Sequence, residues 1–323
     1  MNSPLISKKI DIFGISISGI IVFALLKILN ADSFFYIALT LMIAIVLDNG
    51  HVYMTYSRIK KEYSQEKLFF ILTPMVIAIV LFLWLELKIP YFWSFVVYAT
   101  FFHFVRQIYG INRWYMAKEK LKSKVIDFFV YALIILPILS IHFNQNMEIT
   151  LYSKDDFISY KSSLLFAITL LLNIIAFFGW GISEYFIYRR RGSINIYRIV
   201  FVLSNAILFA LVGYFAKNYI EVIIPLMMAH GFQYLILSSS LESKINNRKM
   251  LKVFMTLLAI GIVFGGIDTY LQDEFDMDNS YLYYGDTIEN LLLALLLTPL
   301  FSHYIYDMKI WKSNYISKLQ KRI

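Results

Sequence analysis

Five histidines occur in this 323-residue chain, and four of them, His51, His103, His230 and His303, fall inside long apolar runs. An ionisable side chain in such a run is costly, and where it is kept it usually serves a function. Neutral imidazole binds iron, copper, zinc and nickel alike. It is also the side chain that gains and loses a proton near neutrality. The chain has no cysteine, so disulfides, thiolate metal sites and cysteine nucleophiles are excluded. His142 stands at the end of a further apolar run and reads as an interface residue.

Each of the four has polar company at helical spacing. Asp48 precedes His51 by three residues, and Asp307 follows His303 by four. His103 is followed by Arg106 and Gln107, and His230 by Gln233 and Tyr234, at offsets of three and four. On a helix these offsets put both side chains on one face. A metal-ligating histidine usually donates its second ring N–H to such a neighbour. The candidate metal ligands are therefore His51, His103, His230 and His303, with Asp48, Asp307 and Glu184 as possible carboxylate ligands. Arg106 and Tyr234 are the candidate catalytic residues. Arg106 would hold an anionic head group, or else pair with Asp48 or Glu184. Tyr234, like Tyr53 and Tyr109, would move protons or electrons. Plainer readings stand beside these. A single intramembrane histidine is often only a hydrogen-bonded core group, and Asp48 and Asp307 could be helix caps or topology anchors. Gln107 and Gln233 could be glue between helices, and Lys27 could snorkel to the interface.

The elements that must position these residues follow from hydropathy. The composition is 59% hydrophobic and 16% charged, against about 45–50% and 25% for soluble domains. Ten apolar segments can be marked, at 10–29, 34–56, 68–87, 92–112, 125–143, 162–188, 199–215, 219–238, 253–269 and 286–307. Most approach the ~20 residues needed to cross a hydrocarbon core. No small-residue cleavage site follows the first, so it is expected to be a span rather than a signal peptide. With the N-terminus inside, cytoplasmic segments carry 24 of the 30 lysines and arginines, as the positive-inside rule requires. The long outer loops are acidic instead, at Asp155 and Asp156 and from Asp268 to Asp278. The expected fold is all-α: one transmembrane helical bundle over 1–323, with about ten spanning helices and both termini cytoplasmic. In this topology the four histidine-bearing spans all run inward. His51 lies seven residues before Arg58, His103 ten before Arg113 and His303 six before Lys309. His230 is fourteen before Lys244, beyond a polar run at Ser238–Ser240. All four thus fall at similar depth in the cytoplasmic leaflet, and their imidazoles are expected to converge.

No HExxH, P-loop, GxGxxG, nucleophile elbow or closely spaced histidine cluster is present. The strings DNGHVYMTYSR, HFVRQIYG, AHGFQYL and HYIYDMKIWK do carry a pattern. It resembles that of a group of functionally unassigned bacterial multi-span membrane proteins, and the resemblance runs from Asp48 to Lys312. It implies a bacterial inner-membrane protein and no particular activity. In logic rather than motif, the chain is similar to the membrane-embedded bacterial β-carotene dioxygenases, which hold one iron by histidines from several helices. Here no two histidines share a helix, so the similarity implies only an intramembrane iron. The expected function is a metal-dependent, iron-containing membrane oxidoreductase or oxygenase. Its partners would be a membrane lipid, isoprenoid or other hydrophobic small molecule and an electron donor, with no nucleic acid. A dinuclear site follows if the carboxylates are ligands. The alternatives are a haem electron-transfer protein, a transporter or lipid-binding protein with a polar intramembrane site, and a transferase or hydrolase with a histidine base.

Overall fold

The computed structural model describes residues 3–62, 67–145, 147, 156–245, 247–274 and 286–310, and among these it contains helices and no strand. The helices are α1 (Ser18–Ile28), α2 (Phe34–Met42), α3 (Gly50–Glu62), α4 (Lys67–Glu86), α5 (Phe92–Lys118), α6 (Lys124–Phe143), α7 (Ser163–Arg191), α8 (Ile196–Phe215), α9 (Tyr219–Ile245), α10 (Met250–Glu274) and α11 (Thr287–Ile310). Two π-helical segments complete the set: π1 (Ile10–Ser16) before α1 and π2 (Ile43–Asn49) between α2 and α3. Each of the ten apolar segments coincides with helical structure. Lys154, Asp155, Asp276, Asp278 and the chain from 311 onward, with the Trp311–Lys312 end of the last motif, lie outside the described residues.

Among the described residues eight helices are long and apolar enough to cross a membrane, and the count is up to nine if π1 and α1, bent by 56° at Ile17, form one span. This is an integral, multi-pass membrane protein. The helix α5 is not among the eight, because His103, Arg106, Gln107 and Arg113 dilute its apolar character. The stretch α2–π2–α3 counts as a single span from Phe34 to Tyr56. Large apolar side chains such as Leu171, Ile175 and Phe178 on α7 are exposed, which a hydrocarbon surround tolerates and water does not.

Helix ends are set locally. The side chains of Ser123, Ser162 and Asn195 accept from backbone N–H groups one turn into α6, α7 and α8, the usual N-cap arrangement. The helix α7 ends on three arginines and then Gly192, whose φ of 67° a side-chain-bearing residue rarely adopts.

Packing divides the chain into two compact units. The first comprises 1–40, 99–149 and 157–233. In it α6 packs on α7 and α8, and α8 packs on π1 and α1. At one close approach Gly213 of α8 meets the Pro137 turn of α6, and Ser140 Oγ donates to both Pro137 O and Gly213 O. The second comprises 41–98, 150–156 and 234–323. There α4 packs on α11, α10 packs on π2 and α3, and α3 also touches α11.

Candidate metal centre

In the second unit the site begins at the junction of π2 and α3. A Cβ on Gly50 would lie 2.6 Å from the Cα and carbonyl oxygen of Gly261. Glycine at position 50 lets α3 come this close to the α10 backbone, one residue from His51. A π-helical turn lets side chains shift register along a helix, and such turns often occur at functional sites. The His51 ring packs edge-on against His303 of α11, with centroids 4.7 Å apart, and against Tyr234 of α9 at 5.7 Å. Tyr234 and His303 are themselves 5.4 Å apart. Thr55, one turn after His51, ties these together: its Oγ1 is 2.6 Å from His303 Nδ1 and hydrogen-bonds the Tyr234 hydroxyl. On the other side of the ring, His303 Nε2 is 3.6 Å from Asp307 Oδ2.

The first unit holds a second histidine pair. His103 of α5 and His230 of α9 pack edge-on with centroids 4.8 Å apart, and Phe104 lies at the same distance from His230. Amides fix this pair in place. Gln107 Nε2 donates to His230 O at 2.9 Å and to Gln233 Oε1 at 3.1 Å. Gln233 Nε2 donates to Ile15 O at 2.7 Å, so a carbonyl beside the π1–α1 bend is satisfied inside the protein. Backbone away from regular helix is tolerated at membrane depth only with such a partner. The two glutamines are thus glue, and they position the histidines.

His51 and His303 pair in the second unit and His103 and His230 in the first, and these four buried histidines could hold a metal ion.

The remaining sequence candidates divide. Asp307 adjoins His303. Asp48 lies on π2 within electrostatic reach of Asp268 of α10, to which Tyr53 hydrogen-bonds. Glu184 is engaged in an ion pair. Its carboxylate accepts from Nη1 and Nη2 of Arg198, whose Nε donates to Glu119 at 2.9 Å, and the arginine is fully buried. The four-histidine group therefore contains neither Asp48 nor Glu184. Arg106 meets neither acid expected for it. It is exposed, donates to the Tyr131 hydroxyl at 2.7 Å and lies over the Tyr109 ring. Tyr109 stacks on Tyr131 with centroids 4.7 Å apart. Lys27 does not simply snorkel but pairs with Glu221. His142 stacks on Phe157 and hydrogen-bonds Ile158 O, apart from the group.

Sequence reasoning passed over Thr55, although it lies one helical turn from His51 within the DNGHVYMTYSR string. Arg198 was not singled out, because it falls between the apolar segments 162–188 and 199–215. Asp11 was not singled out either. It is fully buried, accepts from the Leu5 and Ile6 backbone N–H groups and from the Tyr115 hydroxyl, and anchors the start of the chain. Comparison with family models, with curated proteins and with solved structures returned no match.

Proposed function

We propose that the protein is an iron-dependent membrane oxygenase acting on a lipid or isoprenoid in the cytoplasmic leaflet. The observation that carries this reading is the group of four buried imidazoles. Neutral nitrogen ligands without thiolate suit a divalent transition ion, and four ligands leave coordination positions open for dioxygen. With Glu184 committed to Arg198 and Asp48 outside the four-histidine group found among the described residues, the ligand set favours one ion over two. The protein contributes ligand geometry, a dry surround and the neighbouring hydrogen bonds. Arg106, exposed one turn from His103 and steadied by Tyr131, is suited to receive the acidic head of an amphiphile arriving from the bilayer. If both atoms of dioxygen enter the product, no further reductant is required. If only one does, an electron donor must supply two electrons. The topology that goes with this reading has ten spans, with α5 and the bent π1–α1 pair each crossing once and both termini cytoplasmic. The membrane would be a bacterial inner membrane.

Elemental analysis and an optical spectrum of detergent-purified protein test the reading. Near-stoichiometric iron without a Soret band is expected, and iron should be lost in His103→Ala. A Soret band would mean haem. Metal-free protein, purified without chelators and still unable to take up added iron, would refute the assignment. It would also bring forward the transporter reading, which draws on the 56° bend between π1 and α1. Against that reading, the Ile15 carbonyl beside the bend is already taken by Gln233.

A further inference from the structure

The four imidazoles are not equivalent in their surroundings. His303 has a polar neighbour at each ring nitrogen: Thr55 Oγ1 at 2.6 Å from Nδ1, and Asp307 Oδ2 at 3.6 Å from Nε2. A neutral imidazole carries one hydrogen, and only the nitrogen without it can bind a metal. The carboxylate can only accept, so it favours the tautomer with hydrogen on Nε2. The threonine hydroxyl can accept or donate. When it accepts, it favours hydrogen on Nδ1 and leaves the Nε2 lone pair bare. Thr55 is fully buried, and its hydroxyl is held between His303 Nδ1 and the Tyr234 hydroxyl, which is also buried. The threonine oxygen is therefore held within reach of Nδ1, from which it accepts when its own hydrogen goes to the tyrosine oxygen.

We propose that Thr55 is a positioning residue that selects the Nδ1–H tautomer of His303 and so presents Nε2 to the metal, with Tyr234 holding the threonine hydroxyl in place. The inference rests on the metal-centre reading above. Metal binding then sets the direction of the hydrogen bond at Thr55: His303 Nδ1–H donates and Oγ1 accepts. An ion at Nε2 also faces the Asp307 carboxylate, which offsets part of its charge. Without the threonine oxygen, the buried Nδ1–H loses this acceptor. The ring then turns over to the tautomer whose Nε2–H faces Asp307, which is closed to metal.

Cobalt(II) titration of the full-length protein in detergent, in competition with a chelator and read by visible absorption, tests this. Wild type, Thr55→Val and Thr55→Ser are compared. Valine keeps the shape of threonine and removes the oxygen, whereas serine keeps the oxygen. Thr55→Val is expected to bind cobalt about 10–100-fold more weakly, the usual effect of removing a partner that orients a ligating histidine. Thr55→Ser should stay close to wild type. Equal or tighter binding by Thr55→Val would overturn the proposal, since it would mean that Nδ1 is the ligand or that the tautomer is set elsewhere. Nitrogen-15 NMR of the zinc-loaded wild-type protein gives a second answer that does not depend on how the variants fold. Hydrogen on Nδ1 of His303 is expected, and a metal-bound Nδ1 refutes the claim. If the wild type takes up no cobalt, the metal-centre reading falls as well. If wild type and Thr55→Val bind alike, only the role of Thr55 falls.

Discussion

Glu184 illustrates how far a single residue can be read without its partner. Its place on an apolar helix expected to run inward makes it a candidate metal ligand. In the fold its carboxylate instead meets a fully buried guanidinium, with Glu119 on the other side. Removing one partner of a buried ion pair leaves an uncompensated charge and costs about 3–5 kcal/mol. Glu184→Gln should therefore lower stability in thermal or denaturant unfolding by that order, while the folded fraction keeps its full metal content. Loss of metal at unchanged stability would return Glu184 to the ligand set. Arg198 could not be singled out beforehand, because it follows Arg189–Arg191 in a basic stretch and a buried arginine looks the same as a topology signal in sequence. The histidines were legible for the opposite reason: an ionisable group inside an apolar run stands out, and four at one depth stand out further. Thr55 was not, because a hydroxyl in a helix is unremarkable until the imidazole opposite is known.

At the scale of elements, every long apolar run is helical, because a stretch of ~20 apolar residues has few other ways to satisfy its backbone in a membrane. The bend at Ile17 and the π-helical turns were not legible. A shift of one hydrogen-bond register leaves no mark in composition. The contact that sets the start of α3 was only half visible: Gly50 adjoins His51 in sequence, but its counterpart Gly261 is more than two hundred residues away. A methyl group at Gly50 has no room against the Gly261 backbone, and overpacking of this kind typically costs about 1–3 kcal/mol. Gly50→Ala should therefore reduce thermal stability and weaken metal binding together, since the displaced turn carries His51. Gly110 of α5 faces open space, so Gly110→Ala should be neutral or slightly stabilising, alanine being the better helix former by about 1 kcal/mol. Equal tolerance of alanine at both positions, measured by melting in detergent, would show that the α3–α10 contact does not hold the site.

For the whole molecule, the orientation in the bilayer decides from which leaflet a substrate and an electron donor can reach the histidines. The argument for a cytoplasmic location rests on charge. Lysines and arginines cluster in alternate loops, which translocation across the membrane disfavours. Lys217, between α8 and α9, is one of four basic residues expected in outer loops, whereas Lys122, between α5 and α6, is expected in an inner one; both are exposed. The absence of native cysteine makes the assignment directly measurable, because any introduced thiol is the only one. In intact cells, Lys217→Cys should react with a membrane-impermeant maleimide. Lys122→Cys should react only after permeabilisation. The reverse pattern would place the histidine group in the outer leaflet, out of reach of a cytoplasmic electron donor. Labelling of both in intact cells would mean that the number of crossings between them is even, and α6, α7 or α8 would then have to be reassigned. The expected pattern requires α6, α7 and α8 each to cross once. Of these, α6 packs on both α7 and α8 within a single compact unit, as it would if each were its antiparallel neighbour.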